Sequence, residues 1–181
     1  DGFKAMIGPI LILTFAWTLS KMTNMLGARE YVSMIFEGSA SHMMALLPAI
    51  VFVVAIFLAF STGTSWGTFG ILLPIVAGIN LPSELLVITV SACLAGAVCG
   101  DHCSPISDTT IMSSAGARCD HINHVTTQIP YVVLAASVSF VGYCIAGTVQ
   151  NAWIVLAICI LILLALLLGI RKFVSGREIE G

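Results

Sequence analysis

The chain has 181 residues, of which 59% are hydrophobic and 9% charged, with a formal net charge of −2. Soluble domains carry about 25% charged residues, and a chain with so few cannot cover a water-facing surface. The composition therefore excludes a soluble globular fold, and without a basic patch it gives no reason to expect a nucleic-acid partner.

The sequence opens Asp1-Gly2, without Met or a charged stretch leading to a cleavage site, and this reads as an internal start. A first transmembrane helix is expected over 5–21, ending at Lys21, whose amine can snorkel to the interface. Residues 27–43 mix Arg29, Glu30 and Glu37 with Met34 and Ile35, the pattern of an interfacial amphipathic segment.

An apolar run from Ala45 to Phe60 then stops at Ser61-Thr62-Gly63-Thr64-Ser65-Trp66-Gly67-Thr68 and resumes from Phe69 to Ile79. Arms of this size cover about 17–24 Å, short of a bilayer crossing. The expectation over 45–79 is a re-entrant helical hairpin whose tip is buried in protein or lines a watery cavity. Over 85–117 a second apolar run is interrupted at Gly100-Asp101-His102-Cys103-Ser104-Pro105-Ile106-Ser107-Asp108-Thr109-Thr110. This reads as a broken helix, its first half ending near Gly100 and its second starting with Ser104 as N-cap and Pro105 in the first turn. Transmembrane helices follow over 125–147 and 152–170, closed by Arg171 and Lys172. The fold class is an all-α polytopic membrane protein, one membrane domain over 1–181 with the lipid bilayer as its surroundings.

Lys and Arg accumulate on the cytoplasmic side of membrane proteins. If the hairpin enters and leaves on one face, Lys4, Arg118, Arg171, Lys172 and Arg177 share a side, opposite Lys21 and Arg29. That places the C-terminus in the cytoplasm and opens the hairpin outward. Of the six cysteines, Cys93, Cys99, Cys144 and Cys159 sit in apolar runs as small hydrophobes rather than disulfide partners. A zinc site from Cys99, His102, Cys103, Cys119, His121 and His124 lacks any paired C-x-x-C spacing.

Asp101 and Asp108 carry the chemistry. A carboxylate at mid-membrane costs about 2.5–3.5 kcal/mol on insertion scales, so two of them around one break need a reason. Helix capping alone could account for Asp108, which lies near a helix start. A fuller reason is that broken helices bring half-helix ends to mid-membrane, where carbonyls and hydroxyls coordinate cations. The candidate oxygens are the carbonyls of Val98, Cys99 and Gly100, with the hydroxyls of Ser104, Ser107, Thr109, Thr110, Ser61, Thr62, Thr64 and Ser65. A hard cation such as Na+ at the Asp101/Asp108 region suits this set, with no organic cofactor. Gly63, Gly67 and Gly100 supply backbone freedom. Trp66 anchors the hairpin by packing, while His102 either relays protons or bonds a carbonyl. His121 and His124 read as solvated loop residues. Asp101, at the negative end of a half-helix, is read as the group that alternates between proton and cation; Asp108, at a positive end, stays charged.

The stretches Ser61–Ile71 and Gly100–Thr110, with Cys119–Val125 behind them, resemble the NhaC family of sodium/proton antiporters. The likeness covers about Ala45 to Tyr131. It implies two inverted repeats, each with a hairpin and a broken helix, this chain being the second. Its partners would be the missing N-terminal repeat and small cations, in the cytoplasmic membrane, and a homo-oligomer is compatible with that architecture. Relatives that carry organic acids such as malate and lactate make a sodium- or proton-coupled organic-acid or amino-acid exchanger the alternative. Such cargo calls for a cationic residue at the breaks, and Arg118 lies beyond them. A remoter alternative, an intramembrane aspartyl protease, needs two carboxylates close enough to share a proton.

Overall fold

The computed structural model describes residues 41–79 and 81–177, and before them 14, 15, 18, 21, 22 and 25–27. The expected helix over 5–21 and segment over 27–43 lie, but for these few positions and residues 41–43, outside the described residues. Among the described residues the elements are α1 (Ser41–Thr62), α2 (Ser65–Gly78), α3 (Ser83–Cys103), α4 (Asp108–Gly116), α5 (His121–Val149) and α6 (Ala152–Arg177), with no strand. Four of them, α1, α3, α5 and α6, are long and apolar enough to cross a membrane.

The first arm of the expected hairpin is longer than anticipated. At 22 residues α1 is about 33 Å long, while the 14 residues of α2 make about 21 Å. Helix α1 gains four residues before Ala45 and two after Phe60, and those two, Ser61 and Thr62, donate their hydroxyls to the Leu58 carbonyl at 3.0 and 2.8 Å within the helix they were expected to break.

Packing is set by α1 and α3. A Cβ added at Gly96 would strike the Phe52 carbonyl and one at Gly100 the Ile56 carbonyl. One turn further, Ser104 Oγ donates to the Phe60 carbonyl at 2.7 Å. The contacts advance together along both helices, so α1 and α3 run parallel. Ala55, Ala59 and Ala97 fill the seam with no exposed surface, and Phe69 and Leu72 of α2 pack against them. Lipid tails are as apolar as leucine, so helices in a bilayer associate through close approach of small residues.

Two consecutive parallel helices require a returning element, and α2 supplies it. The α1–α2 turn and the α3–α4 break consequently lie at one level. Helix α5 runs antiparallel to α1, with Gly147 against the Ala45 backbone and the Tyr143 ring tilted by 40° against Phe52, centroids 5.2 Å apart. A turn at Gln150 (φ 50°) leads into α6, capped by Asn151 Oδ1 accepting from the Trp153 and Ile154 amides. The return brings Cys159 against Gly142, so Arg171 and Lys172 at the far end of α6 share a side with Arg118 before α5. None of the membrane-length stretch of α6 is buried by the rest of the chain, as suits an all-round apolar helix facing hydrocarbon.

The seam makes a direct prediction. Gly96→Ala and Gly100→Ala force a methyl into backbone carbonyls that cannot rotate away, at an expected loss of about 1–3 kcal/mol. Gly169→Ala, with open space around it, is expected to be neutral or stabilising by up to about 1 kcal/mol. Unfolding midpoints of the purified variants in detergent measure the difference; equal midpoints for Gly100→Ala and Gly169→Ala would contradict the seam.

Candidate functional site

Helix α3 continues past Gly100 through Asp101 and His102 to Cys103. It stops there because Ser104 precedes Pro105, whose ring pushes the preceding residue out of the helical region, here to φ −75° and ψ 129°. The expected start at Ser104 is thus corrected. Ser104 is the C-cap of α3, its amide donating to the Asp101 carbonyl at 3.1 Å, and Ser107 is the residue before α4. Pro105 lies in the four-residue connector 104–107 and not in a first helical turn. Gly100 serves close packing, and the Val98 and Cys99 carbonyls lie within the helix rather than at its end.

The two Gly/Ser/Thr-rich breaks meet. Ser104 Oγ, besides donating to Phe60, accepts from the Ile106 amide at 3.4 Å. Gly63 turns between α1 and α2 with φ +66°, and a Cβ there would lie 2.7 Å from the Ile106 carbonyl oxygen. Glycine answers both demands at once. Thr64 caps α2 by accepting from the Gly67 amide at 3.4 Å, with Ser65 half-buried as the first helical residue. Thr68, fully buried, donates back to the Thr64 carbonyl at 3.0 Å.

Burial divides the expected ion ligands. Asp101, Ser104, Ser107 and Thr110 are buried, whereas Ser61, Thr62, Asp108 and Thr109 are exposed. Thr110 donates to the His102 carbonyl at 3.2 Å, satisfying an acceptor at the end of α3 and tying α4 to it. Ser107 and Thr109 share a hydrogen bond at 2.8 Å. Asp108, the first residue of α4, accepts from the Thr109 amide at 2.7 Å. Asp101 is 4% exposed, and its Oδ1 is buried without a hydrogen-bond partner. A buried polar oxygen without a donor is costly, and among the described residues Gln128 Oε1 is left in the same state. The two aspartates therefore occupy opposite environments, unlike a proton-sharing dyad.

His121 is not a solvated loop residue. Asp120 accepts from the Asn123 amide at 2.8 Å and starts α5 at His121, four residues before the expected 125. The His121 Nε2 lies 2.7 Å from the Pro105 carbonyl, which can only accept, so Nε2 carries a proton; Nδ1 meets Ser114 Oγ at 3.1 Å. No one-dimensional signal marks this contact, because the partners lie 16 and 7 residues away across a chain reversal. His124 Nε2 sits 3.5 Å from Ser113 Oγ. The His102 ring is exposed and lines an open groove of about 830 Å³ with Cys99, Val132 and Ala135. Trp66 is 74% exposed and stands edge-on to Phe69, so its packing is local to α2. All six cysteines are free, and among the described residues no three His, Cys, Asp or Glu side chains gather as metal ligands.

The model of the Na+/H+ antiporter family matches residues 1–148. An uncharacterised protein of Haemophilus influenzae is 47% identical over 94% of this chain and 33% of its own length. A second protein of that organism, described as an uncharacterised Na(+)/H(+) antiporter, is 39% identical over 52% of the chain and 22% of its own. The malate-2H(+)/Na(+)-lactate antiporter of Bacillus subtilis is 34% identical over 48% and 20%. The chain thus spans a third or less of the length of these relatives. No solved structure matches it.

The meeting of the breaks is testable through Ser104. Ser104→Ala leaves the part-buried Phe60 carbonyl without that donor and is expected to cost about 1 kcal/mol. Ser61→Ala, at an exposed hydroxyl, is expected to stay within about 0.5 kcal/mol of the parent. Denaturation midpoints in detergent decide it, and indistinguishable variants would mean that the Ser104–Phe60 bond contributes nothing.

Proposed function

This chain belongs to the Na+/H+ antiporter family, and we propose that it forms the ion-binding part of a secondary antiporter exchanging sodium for protons by alternating access. The observation that carries the reading is the buried Asp101 oxygen without a partner, at the level where both helix breaks meet. The carboxylate holds either a proton or sodium, and each loaded state can reorient. Exchange then requires only competition for one group. Sodium, a hard cation, takes oxygen ligands, and the hydroxyls of Ser104, Ser107 and Thr110 are the buried candidates beside those of Thr64 and Ser65 at the facing turn. Asp108 stays ionised at the start of α4, where the helix dipole favours negative charge, and holds the connector or receives the ion.

The α1–α2 pair acts as the hairpin of an NhaC-type repeat, its two ends on the outer face and the C-terminus in the cytoplasm. Arg118, Arg171 and Lys172 at one end of the α5–α6 pair support this orientation. The remaining two thirds of a relative's length leave room for the inverted partner repeat that closes the site, and the cytoplasmic membrane is the proposed location. An organic-acid exchanger is the second reading, motivated by the relative named for malate and lactate. Against it stands the absence of Lys or Arg from residues 61–68 and 100–110.

In vesicles carrying the full-length protein, Asp101→Asn is expected to abolish sodium-driven proton flux at every pH. Asp108→Asn is expected to raise the half-saturating sodium concentration about tenfold, a loss of about 1.4 kcal/mol, with proton coupling retained. A normal pH profile in Asp101→Asn together with its loss in Asp108→Asn would reverse the two roles. Wild-type flux in both variants would put the ion elsewhere.

A further inference from the structure

The connector 104–107 is a stretch of backbone outside any helix, set among elements that cross or enter the membrane. Its Ser104 and Ser107 carbonyls accept from the Ser107 and Ile111 amides at 3.3 and 2.9 Å, and a carbonyl left outside that backbone ladder needs a donor of its own. The Pro105 carbonyl finds one in the His121 Nε2–H at 2.7 Å. The other ring nitrogen lies 3.1 Å from the Ser114 hydroxyl of α4, for whose one proton it competes with the Ile111 carbonyl at 2.9 Å, so a single rigid ring links connector, α4 and α5. The ring is itself anchored. Asp120 caps the helix that carries it, and the Cys119 amide donates to the Ser114 carbonyl at 3.1 Å.

We propose that His121 is a positioning residue for the ion site, holding the connector through Pro105 so that Ser104 and the last turn of α3 keep their place around Asp101. The inference rests on the antiport reading above. The linkage is short: Pro105 is bonded covalently to Ser104, whose amide donates to the Asp101 carbonyl at 3.1 Å and whose hydroxyl donates to Phe60. No flexible residue intervenes between the clasped carbonyl and the group that caps the turn bearing Asp101. Loss of the ring donor leaves the Pro105 carbonyl to seek another partner, and Ser104 moves with it. His121 makes no contact with the ion; its effect falls on how well the site is formed. Sodium affinity should accordingly change more than the maximal rate.

The test uses the full-length protein with two readouts, sodium-driven proton flux in vesicles and hydrogen exchange of the Ile106 and Ser107 amides in detergent. His121→Ala is expected to raise half-saturating sodium about tenfold or more, as loss of partners behind metal ligands does, and to speed exchange at both amides. His121→Gln, whose amide N–H can reach the Pro105 carbonyl, is expected to restore most of both. Should His121→Ala not accumulate, Ser114→Ala releases the other side of the ring and should give a smaller rise in half-saturating sodium. Wild-type sodium dependence in His121→Ala, or in Ser114→Ala where it replaces it, overturns the proposal. So does His121→Gln behaving no better than His121→Ala. If the amides respond as expected but the wild type moves no protons on sodium addition, the clasp stands and the antiport reading fails.

Discussion

Everything at the candidate site depends on how closely α3 can lie against α1. Glycines at 96 and 100 let the backbone of α3 rest on the Phe52 and Ile56 carbonyls, and Ala55, Ala59 and Ala97 close the remaining space. Inside a bilayer this proximity is the attraction itself, since moving apolar side chains from lipid to protein gains little. The same register delivers Ser104 to the Phe60 carbonyl one turn later. Were the seam looser, the two breaks would separate, and each would have to satisfy its own polar backbone at membrane depth.

The breaks solve that problem jointly. Gly63 rests on Ile106, Ser104 answers Phe60, Thr110 answers His102 and His121 answers Pro105. Each of the three hydrogen bonds satisfies a part-buried carbonyl that would otherwise be left unpaired. Against this background, two buried side-chain oxygens among the described residues lack a partner, Asp101 Oδ1 and Gln128 Oε1. Under the antiport proposed above, the Asp101 oxygen is the one that takes up a proton or a small cation.

Membership of the Na+/H+ antiporter family agrees with this chemistry without dictating the cargo. A relative named as a malate-2H(+)/Na(+)-lactate antiporter shares a third of its aligned residues with this chain. The physical distinction lies in charge at the breaks. An organic anion calls for a fixed cation, and residues 61–68 and 100–110 contain no Lys or Arg. The other portion of a full-length relative could bring one, so the distinction belongs to the whole protein.

From the sequence alone came the membrane class, the two polar interruptions and the place of Asp101 in an apolar run, because each follows from local composition: charge is scarce, apolar runs are long, and a carboxylate in such a run is expensive. Positions of helix ends were less legible. Ser104 reads as an N-cap by residue type, yet its neighbour Pro105 makes it the end of the preceding helix, and Ser61 and Thr62 extend a helix they were expected to break. What the tertiary structure alone decided is which polar groups are buried together. Of ten candidate ligands, hydroxyls as similar as Ser104 and Ser61 ended on opposite sides of the burial boundary, and His121, apparently a loop residue, became the partner of Pro105. Such pairings join residues tens of positions apart through the parallel docking of α1 and α3, and their geometry arises only when the glycine seam closes.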